Sequence, residues 1–121
     1  MIEQLSNFPG NVVAFVCSGR VTRRDYETVL VPAVEAALGQ HERVRLYYQI
    51  AIDFSHIEPG VSQDFKVGIE HLLRWDRIAI VTDLDWIRET IRVFGFLLPG
   101  AVELFALDEA PAAREWILAT E

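Results

Sequence analysis

The sequence predicts an α/β fold: a single mixed β-sheet of about five strands with four helices, in the order β-β-α-β-α-β-α-β-α. Residues 77–83 place four apolar residues between an arginine and a Thr-Asp pair, a run too short for a helix. Such a run is typical of a strand buried on both faces, with helices above and below it. Segments with helical periodicity alternate with strand-like segments along the chain. We expect residues 1–121 to form one domain.

Composition excludes several classes of function. The chain is 51% hydrophobic and 24% charged, and it has no apolar run near the length of a membrane span. Its net charge of −7 opposes binding to nucleic acid and to anionic lipid surfaces. The first residues lack the basic and apolar regions of a signal peptide, so a cytoplasmic location is expected.

The first half of the chain predicts a hairpin followed by a long helix. Residues 2–5 and 12–18 are strand candidates, and the turn-rich residues between them indicate a hairpin. Thr22 and Asp25 have the spacing of a capping box at the start of a helix. We expect Gly39 to end this helix and Pro32 to kink it, because the apolar pattern continues across the proline.

The second half continues the alternation of strand and helix. The remaining elements, in chain order, are a half-buried strand at 44–52, a helix capped by Ser62, the strand at 77–83, a helix at 84–98, a strand at 102–107 and a helix that opens at Asp108. Thr82 and Asp85 form a second capping-box pattern. The carboxyl edge of this sheet is where open α/β folds usually bind ligands.

Residues 93–98 carry apolar side chains all round the predicted helix, which a surface helix normally avoids. A second subunit, a ligand or the rest of the same chain must cover them. The sequence leaves these three possibilities open.

Four segments resemble a known family. They are Gly19-Arg20-Val21-Thr22-Arg23-Arg24-Asp25-Tyr26, Val31-Pro32-Ala33, the strand at 77–83, and Ala113-Arg114-Glu115-Trp116-Ile117. Together they resemble the SpoIIAA-like family, a branch of the STAS domains of sulfate transporters and anti-sigma-factor antagonists, which is also similar to CRAL-TRIO lipid-binding folds. The resemblance implies a small bacterial cytoplasmic module without an enzymatic centre. It also implies an apolar or lipid-like ligand beneath mobile helices, and a homodimer.

The anti-sigma-factor antagonists carry a phosphorylatable serine in an Asp-Ser-Ser/Thr-Gly context, at the start of the helix after the third strand. Ser62 matches by location, but the preceding aspartate and the following glycine are missing here. Helix capping therefore accounts for Ser62, and its phosphorylation, like that of Ser55, is left open.

No residue pattern predicts a metal site, a cofactor or an enzyme. His41, His56 and His71 lack metal-ligand spacing. The link that contains Asp53, Ser55 and His56 allows a Ser-His-Asp arrangement on paper, but no strained nucleophile turn or oxyanion hole accompanies it. Cys17 lies in an apolar strand and is expected to be an inert core residue.

The candidate ligand site is a pocket between the second and third helices, floored by the sheet, with residues 94–98 as its movable cover. Its expected lining is apolar and largely aromatic: Tyr48, Phe54, Phe65, Ile69, Trp86, Ile91, Phe94, Leu97 and Leu98. Ordinary core packing is the alternative for these aromatic residues. Arg88 or Arg92 either meets an acidic head group or pairs with Asp85 and Glu89 on the helix surface.

Two functions follow from these observations. The first is a non-enzymatic module that binds a small apolar or lipid-like ligand, with peripheral membrane contact through residues 94–98 as a further expectation. The second is a protein-interaction module, of the anti-sigma-antagonist type, in which the same apolar segment forms the interface of a homodimer.

Overall fold

The computed structural model of the protein describes residues 1–53, 56–57, 75–94 and 101–119. Its elements are strands β1 (Ile2–Gln4), β2 (Val12–Cys17) and β3 (Arg20–Val21), helix α1 (Arg23–Asp25), a π-helical segment (Tyr26–Leu30), helix α2 (Val31–Gln40), strands β4 (Val44–Ile50), β5 (His56–Ile57) and β6 (Trp75–Thr82), helix α3 (Asp85–Phe94), strand β7 (Ala101–Phe105), a 3-10 turn (Leu107–Glu109) and helix α4 (Ala110–Leu118). Within these ranges, no helix combines the length and the hydrophobicity that a bilayer crossing requires. The helix predicted after Ser62 lies outside the described residues.

Five strands form one mixed sheet in the order β1-β2-β4-β6-β7, which confirms the predicted fold class. Strand β1 runs antiparallel to β2, with Ile2 opposite Cys17, so the predicted hairpin is correct. All other neighbours in this sheet are parallel. Strands β3 and β5 form a separate two-residue parallel pair that the sequence pattern did not predict.

The described helices divide between the two faces of the sheet. Residues of α2 and α3, such as Val34 and Ile87, join Phe15 and Ile80 in a first core. Helix α4 covers the opposite face, where Ala113 and Ile117 pack in a second core. The connections from β2 to β4 and from β6 to β7 advance across the sheet in the same direction, so right-handed crossovers place α2 and α3 on one face.

The two middle strands are covered on both faces. Residues 78–82 of β6 are all buried, as predicted. Strand β4 was predicted to be half-buried, and this was wrong. Val44 and Ile50 of β4 lie in the first core. Tyr47 is buried in the second core, on the face of the sheet that helix α4 covers. The interior position of β4, between β2 and β6, explains the difference.

A change of helix type precedes Pro32, where the sequence predicted a kink. The backbone amide of Val31 donates to the Tyr26 carbonyl, five residues back, which is the bond of a π-helix. The proline ring would clash with the carbonyl of Thr28, four residues back, in a regular α-helix. The wider π-helical segment takes up this clash, and Pro32 occupies the first turn of α2.

Helix α2 also continues beyond the predicted stop. Gly39 is part of the helix, which ends after Gln40, and His41 is the capping residue with extended backbone. The amide of His41 donates to the Ala37 carbonyl. Gly39 does not adopt the left-handed conformation of a terminating glycine; among the described glycines, Gly19 does, with φ +54°.

The predicted capping box at Thr22 is confirmed. The Asp25 amide donates to Thr22 Oγ1 over 3.1 Å, and the Thr22 amide donates to Asp25 Oδ2 over 2.9 Å. Burial alone would raise the pKa of Asp25. The hydrogen bonds from the Thr22 amide and hydroxyl, together with the α-ammonium of Met1, outweigh burial and hold this pKa below its ordinary value of 3.8.

We expect the Thr22→Ala variant to lose about 1 kcal/mol of unfolding free energy at neutral pH, because the helix loses its cap. Since the folded-state pKa of Asp25 is depressed, its contribution is present above pH 3.8 and is lost as the pH falls below that value. The difference between the variant and the wild type should therefore narrow in acid. Urea unfolding followed by circular dichroism measures it. Thr28→Ala is the control, because the wild-type Thr28 hydroxyl donates to the Arg24 carbonyl on the exposed side of the helix. A difference in unfolding free energy between Thr22→Ala and the wild type that stays constant below pH 3.8 would contradict this account.

Candidate functional site

The carboxyl ends of the parallel strands meet at one edge of the sheet. Cys17 pairs with Ile50, and Ile50 pairs with Thr82, so the last residues of β2, β4 and β6 lie side by side. Thr82 is fully buried, and its Oγ1 accepts the Leu84 amide over 3.1 Å. The predicted capping box between Thr82 and Asp85 is therefore wrong: Thr82 ends the strand, and Asp85 is the first residue of α3.

Arg88 ties α3 to this edge. Its Nη1 donates to the carbonyl of Thr82 over 2.9 Å and to the carbonyl of Phe105 over 3.2 Å. These carbonyls belong to the last residues of β6 and β7, and the β6–β7 pairing ends at Val81 and Phe105. The sequence offered an acidic head group or a surface carboxylate as the partner of Arg88; the structure gives it strand carbonyls in place of Asp85 or Glu89.

A polar cluster lies beneath the π-helical segment, within the first core. Cys17 Sγ donates to Tyr48 Oη over 2.8 Å, and the Tyr48 hydroxyl also bonds the buried side chain of Tyr26. Burial raises the pKa of Cys17 to about 11, so the sulfur is a protonated thiol at neutral pH. Burial and the neighbouring Cys17 and Tyr26 also raise the pKa of Tyr48. The cluster is neutral and internally bonded, which agrees with the prediction that Cys17 is an inert core residue.

We expect the Tyr48→Phe variant to lose about 2 kcal/mol of stability, because the Cys17 thiol and the Tyr26 hydroxyl lose a buried partner. Tyr47→Phe is the matched control. Tyr47 donates to Gln49 Oε1, and Gln49 is accessible enough to bond water instead. Chemical denaturation of both variants measures the difference. Equal losses of stability in the two variants would show that the buried hydrogen bonds of Tyr48 contribute no more than the hydrogen bond of Tyr47.

Helix α3 has two chemically different sides. Ile87 is buried in the first core, and Leu84 and Ile91 pack against it, as predicted. On the other side, Trp86 is 58% exposed and Val93 is 54% exposed. These two residues are seven positions apart, which places them on one stripe, two turns from each other.

Polar residues accompany this apolar stripe. Arg92 Nη1 lies 3.1 Å from Glu89 Oε1 and donates to it on the helix surface, which confirms the predicted pairing of Arg92 with Glu89. The hydroxyl of Thr90 donates to the Trp86 carbonyl over 2.7 Å, so its hydrogen is satisfied within the helix. We call Trp86, Glu89, Thr90 and Val93 the outer face of α3.

The structure places only part of the predicted ligand site. Tyr48 and Ile91 both pack against the first core. Trp86 is directed away from them on the outer face of α3, so it is not brought together with Tyr48. The other predicted members, together with Ser55 and Ser62, lie outside the described residues: Phe54, Phe65, Ile69, Leu97, Leu98 and the side chain of Phe94.

Sequence reasoning missed three residues near α3. Val93 belongs to the predicted apolar segment 93–98 but was not included in the predicted ligand site. Val102 and Leu104, on β7, pack against the first core while remaining only partly buried. The spacing of seven between Trp86 and Val93 was a readable signal. No sequence signal marks β7 as a strand at the end of the sheet, because strand order depends on long-range pairing.

Within the described ranges, no three His, Cys, Asp or Glu side chains converge in a way that could hold a metal ion. On α3, Arg88 donates to strand carbonyls, and Glu89 and Arg92 form a surface ion pair. The arrangement offers exposed apolar residues on the outer face of α3, and partly buried apolar residues of α3 and β7 that pack against the first core.

Comparisons with known proteins agree with this fold. The sequence model of the SpoIIAA-like family matches residues 12–118. A solved structure of an uncharacterized protein of the DUF3478 family with a SpoIIAA-like fold, from Shewanella loihica PV-4, superposes with a TM-score of 0.73 at 24% identity. That likeness covers 97% of this chain and 92% of the other. A comparison with curated proteins finds no match. The chain belongs to the SpoIIAA-like family and is a STAS-type α/β module.

Proposed function

We propose that this protein is a non-catalytic interaction module that forms a homodimer through the outer face of α3. The observation that carries the proposal is the exposure of Trp86 and Val93 on one stripe of this helix. Isolated exposed apolar residues are common on any protein, but this tryptophan and valine, two turns apart on one stripe, present their apolar surface to the same side of the helix. Tryptophan is also among the residues that contribute most to protein interfaces.

The energetic argument rests on the area that these side chains leave in water. Full burial of one large apolar side chain contributes roughly 1.5–3 kcal/mol, and a two-fold interface buries each such residue twice. Two copies of Trp86 and Val93 therefore offer several kcal/mol before the cost of association is subtracted. The Glu89–Arg92 pair forms a polar rim beside the patch.

We expect gel filtration with light scattering to show a dimer of the wild type at micromolar concentration and a monomer of the Val93→Asp variant. A charge in the patch leaves an unpaired carboxylate in the interface. Ala36→Asp is the matched control, since Ala36 is an exposed residue on α2. It should remain dimeric. A monomeric wild type, or a Val93→Asp variant as dimeric as the control, contradicts the proposal.

A second candidate function is the binding of an apolar or lipid-like ligand beneath α3. One observation favours it: Leu84, Ile91, Val102 and Leu104 all face the first core, yet each remains partly exposed. Leu84 and Ile91 are on α3, whereas Val102 and Leu104 are on β7, the last strand of the sheet. An alkyl chain between α3 and β7 would meet these side chains, and its entry would require α3 to move at its Arg88 contacts.

Native mass spectrometry and lipid extraction of the purified protein test this candidate. We expect bound apolar material, or uptake of an added fatty acid, that the Leu104→Gln variant fails to retain. Neutral and anionic vesicles test membrane contact, and the net charge of −7 predicts binding to the neutral ones alone. A protein that carries nothing and ignores fatty acids and vesicles rules the candidate out.

A further inference from the structure

We propose that the π-helical segment, Tyr26–Leu30, accommodates one extra residue of the helix and thereby turns Tyr26 into the first core. The segment lies between α1 and α2. Its bond from the Val31 amide to the Tyr26 carbonyl spans five residues, so this turn holds one residue more than an α-helical turn. This role of the segment does not depend on association through α3.

Helical phase shows what the extra residue does. Each α-helical residue advances about 100° around the axis, so the eight residues from Tyr26 to Val34 would set their side chains about 80° apart in a continuous α-helix. With one residue accommodated in the longer turn, the offset falls to about 20°. Tyr26 is 2% exposed and Val34 is 3% exposed, as expected for side chains that point the same way. Ala33, about 100° from Val34, is only partly buried, so the larger offset would carry Tyr26 to the margin of the core.

Both ends of the segment are held in place, so the helix cannot rotate as a whole to correct such an offset. On the amino-terminal side, Asp25 shares the capping box with Thr22, and its carboxylate lies 3.6 Å from the Met1 ammonium. On the carboxyl-terminal side, Val34 and Leu38 of α2 pack in the first core. A longer turn between these two anchors satisfies both.

The direction of Tyr26 matters because its side chain bonds the Tyr48 hydroxyl, which also accepts from Cys17 Sγ over 2.8 Å. Tyr48 is on β4 and Cys17 is on β2, so the π-helical segment connects the helix to two strands through one buried cluster. Pro32 suits the end of this turn, since it has no amide and leaves the preceding carbonyls without a demand on their geometry.

Deletion of Thr28 tests this role. Thr28 is exposed in the π-helical segment, and its removal should leave a regular α-helix in which Tyr26 and Val34 are still in phase. The deletion is made in the Pro32→Ala variant, because the proline ring would clash with the carbonyl four residues back in a regular α-helix. Deletion of Ala36 in the same variant is the control, since Ala36 is also exposed but lies within α2, where no turn holds an extra residue.

Urea unfolding followed by circular dichroism compares both deletions with Pro32→Ala alone. Deletion of Thr28 should keep the midpoint within about 0.5 M of the Pro32→Ala value. Deletion of Ala36 turns Val34 about 100° relative to Leu38, so it should lower the midpoint by at least about 1 M or abolish the cooperative transition.

Cys17 provides a second readout, because it is the single cysteine of the chain and is 1% exposed. Its reaction with iodoacetamide should stay as slow after deletion of Thr28 as in Pro32→Ala, and should become at least about tenfold faster after deletion of Ala36.

Three results would overturn the proposal. If deletion of Thr28 lowers the midpoint as much as deletion of Ala36, the turn holds no extra residue. If both deletions are harmless, helical phase does not decide the position of Tyr26. If the Thr28 deletion is stable but Cys17 reacts rapidly, Tyr26 has left the cluster.

Discussion

Replacement of Arg45 with alanine is expected to lower the free energy of unfolding by about 3 kcal/mol. The Arg45 side chain is 13% exposed, and its Nε donates to Asp76 Oδ2 over 3.0 Å. Its Nη1 donates to the carbonyl of Ile117 over 2.9 Å and also to the carbonyl of Ala119. The alanine variant leaves these carbonyls at the end of α4 without their partner and removes the closer of the two arginines that contact Asp76.

Arg43 provides the control, because its guanidinium contacts the same carboxylate in a different setting. Arg43 Nη2 lies 3.8 Å from Asp76 Oδ1, and its side chain is 58% exposed. Exposed pairs of this kind contribute about 0–1 kcal/mol, so Arg43→Ala should have little effect. Thermal or urea unfolding of both variants gives the comparison. Similar losses would mean that Arg45 acts through its charge alone and not as the partner of the α4 carbonyls.

The Ile117→Ala variant is expected to lose about 3–4 kcal/mol, which is the usual cost of a cavity at a closed site. Ile117 is 0% exposed and packs with Ala113, Val81 and Tyr47 between α4 and the sheet. Arg45 and Arg77 hold the end of α4 through the carbonyls of Ile117 and Trp116. The helix is therefore fixed at this point, so it cannot move inward to fill the space.

The same chemical change at an exposed position separates the cavity from the loss of side-chain area. Ile52 is 64% exposed, and Ile52→Ala should change stability by no more than about 0.5 kcal/mol. Urea unfolding at one pH compares the two isoleucine variants. If Ile117→Ala were as mild as Ile52→Ala, α4 would not be a firmly packed element of the second core. Ile117→Ala should not alter association, since α4 and α3 lie on opposite faces of the sheet.

The parts of the fold that depend on neighbouring residues were predictable from the sequence. The apolar run in β6 identified a strand buried on both faces. The Thr22–Asp25 spacing identified a helix start, and the inner side of α3 followed from the spacing of Leu84, Ile87 and Ile91. Each of these signals lies within a few residues of the structure that it specifies.

The parts that depend on distant residues were not predictable. Arg88 contacts Phe105, 17 positions away, and Arg45 contacts Ile117, 72 positions away. The sequence pattern assigned neither arginine to a backbone carbonyl. The π-helical segment before Pro32 also lay beyond prediction, because a proline inside a helical pattern is compatible with a kink or with a change of helix type.

Trp86 shows how a composition argument can mislead about a site. It was grouped with Tyr48 because the predicted elements placed both residues near the carboxyl ends of the third and fourth strands. Adjacent helix residues point about 100° apart, so once Ile87 faces the sheet, Trp86 cannot do so as well. The helical phase, which was available from the sequence, places Trp86 on the outer face of α3 beside Val93.

Sedimentation equilibrium of the unmodified protein, across a dilution series through the micromolar range, tests the proposed role of α3 most directly. Self-association through the outer face of α3 predicts a mass that approaches twice that of one chain as concentration rises. It also predicts that this increase disappears in Val93→Asp and persists in Ala36→Asp. A wild-type mass of one chain at every concentration would contradict the account.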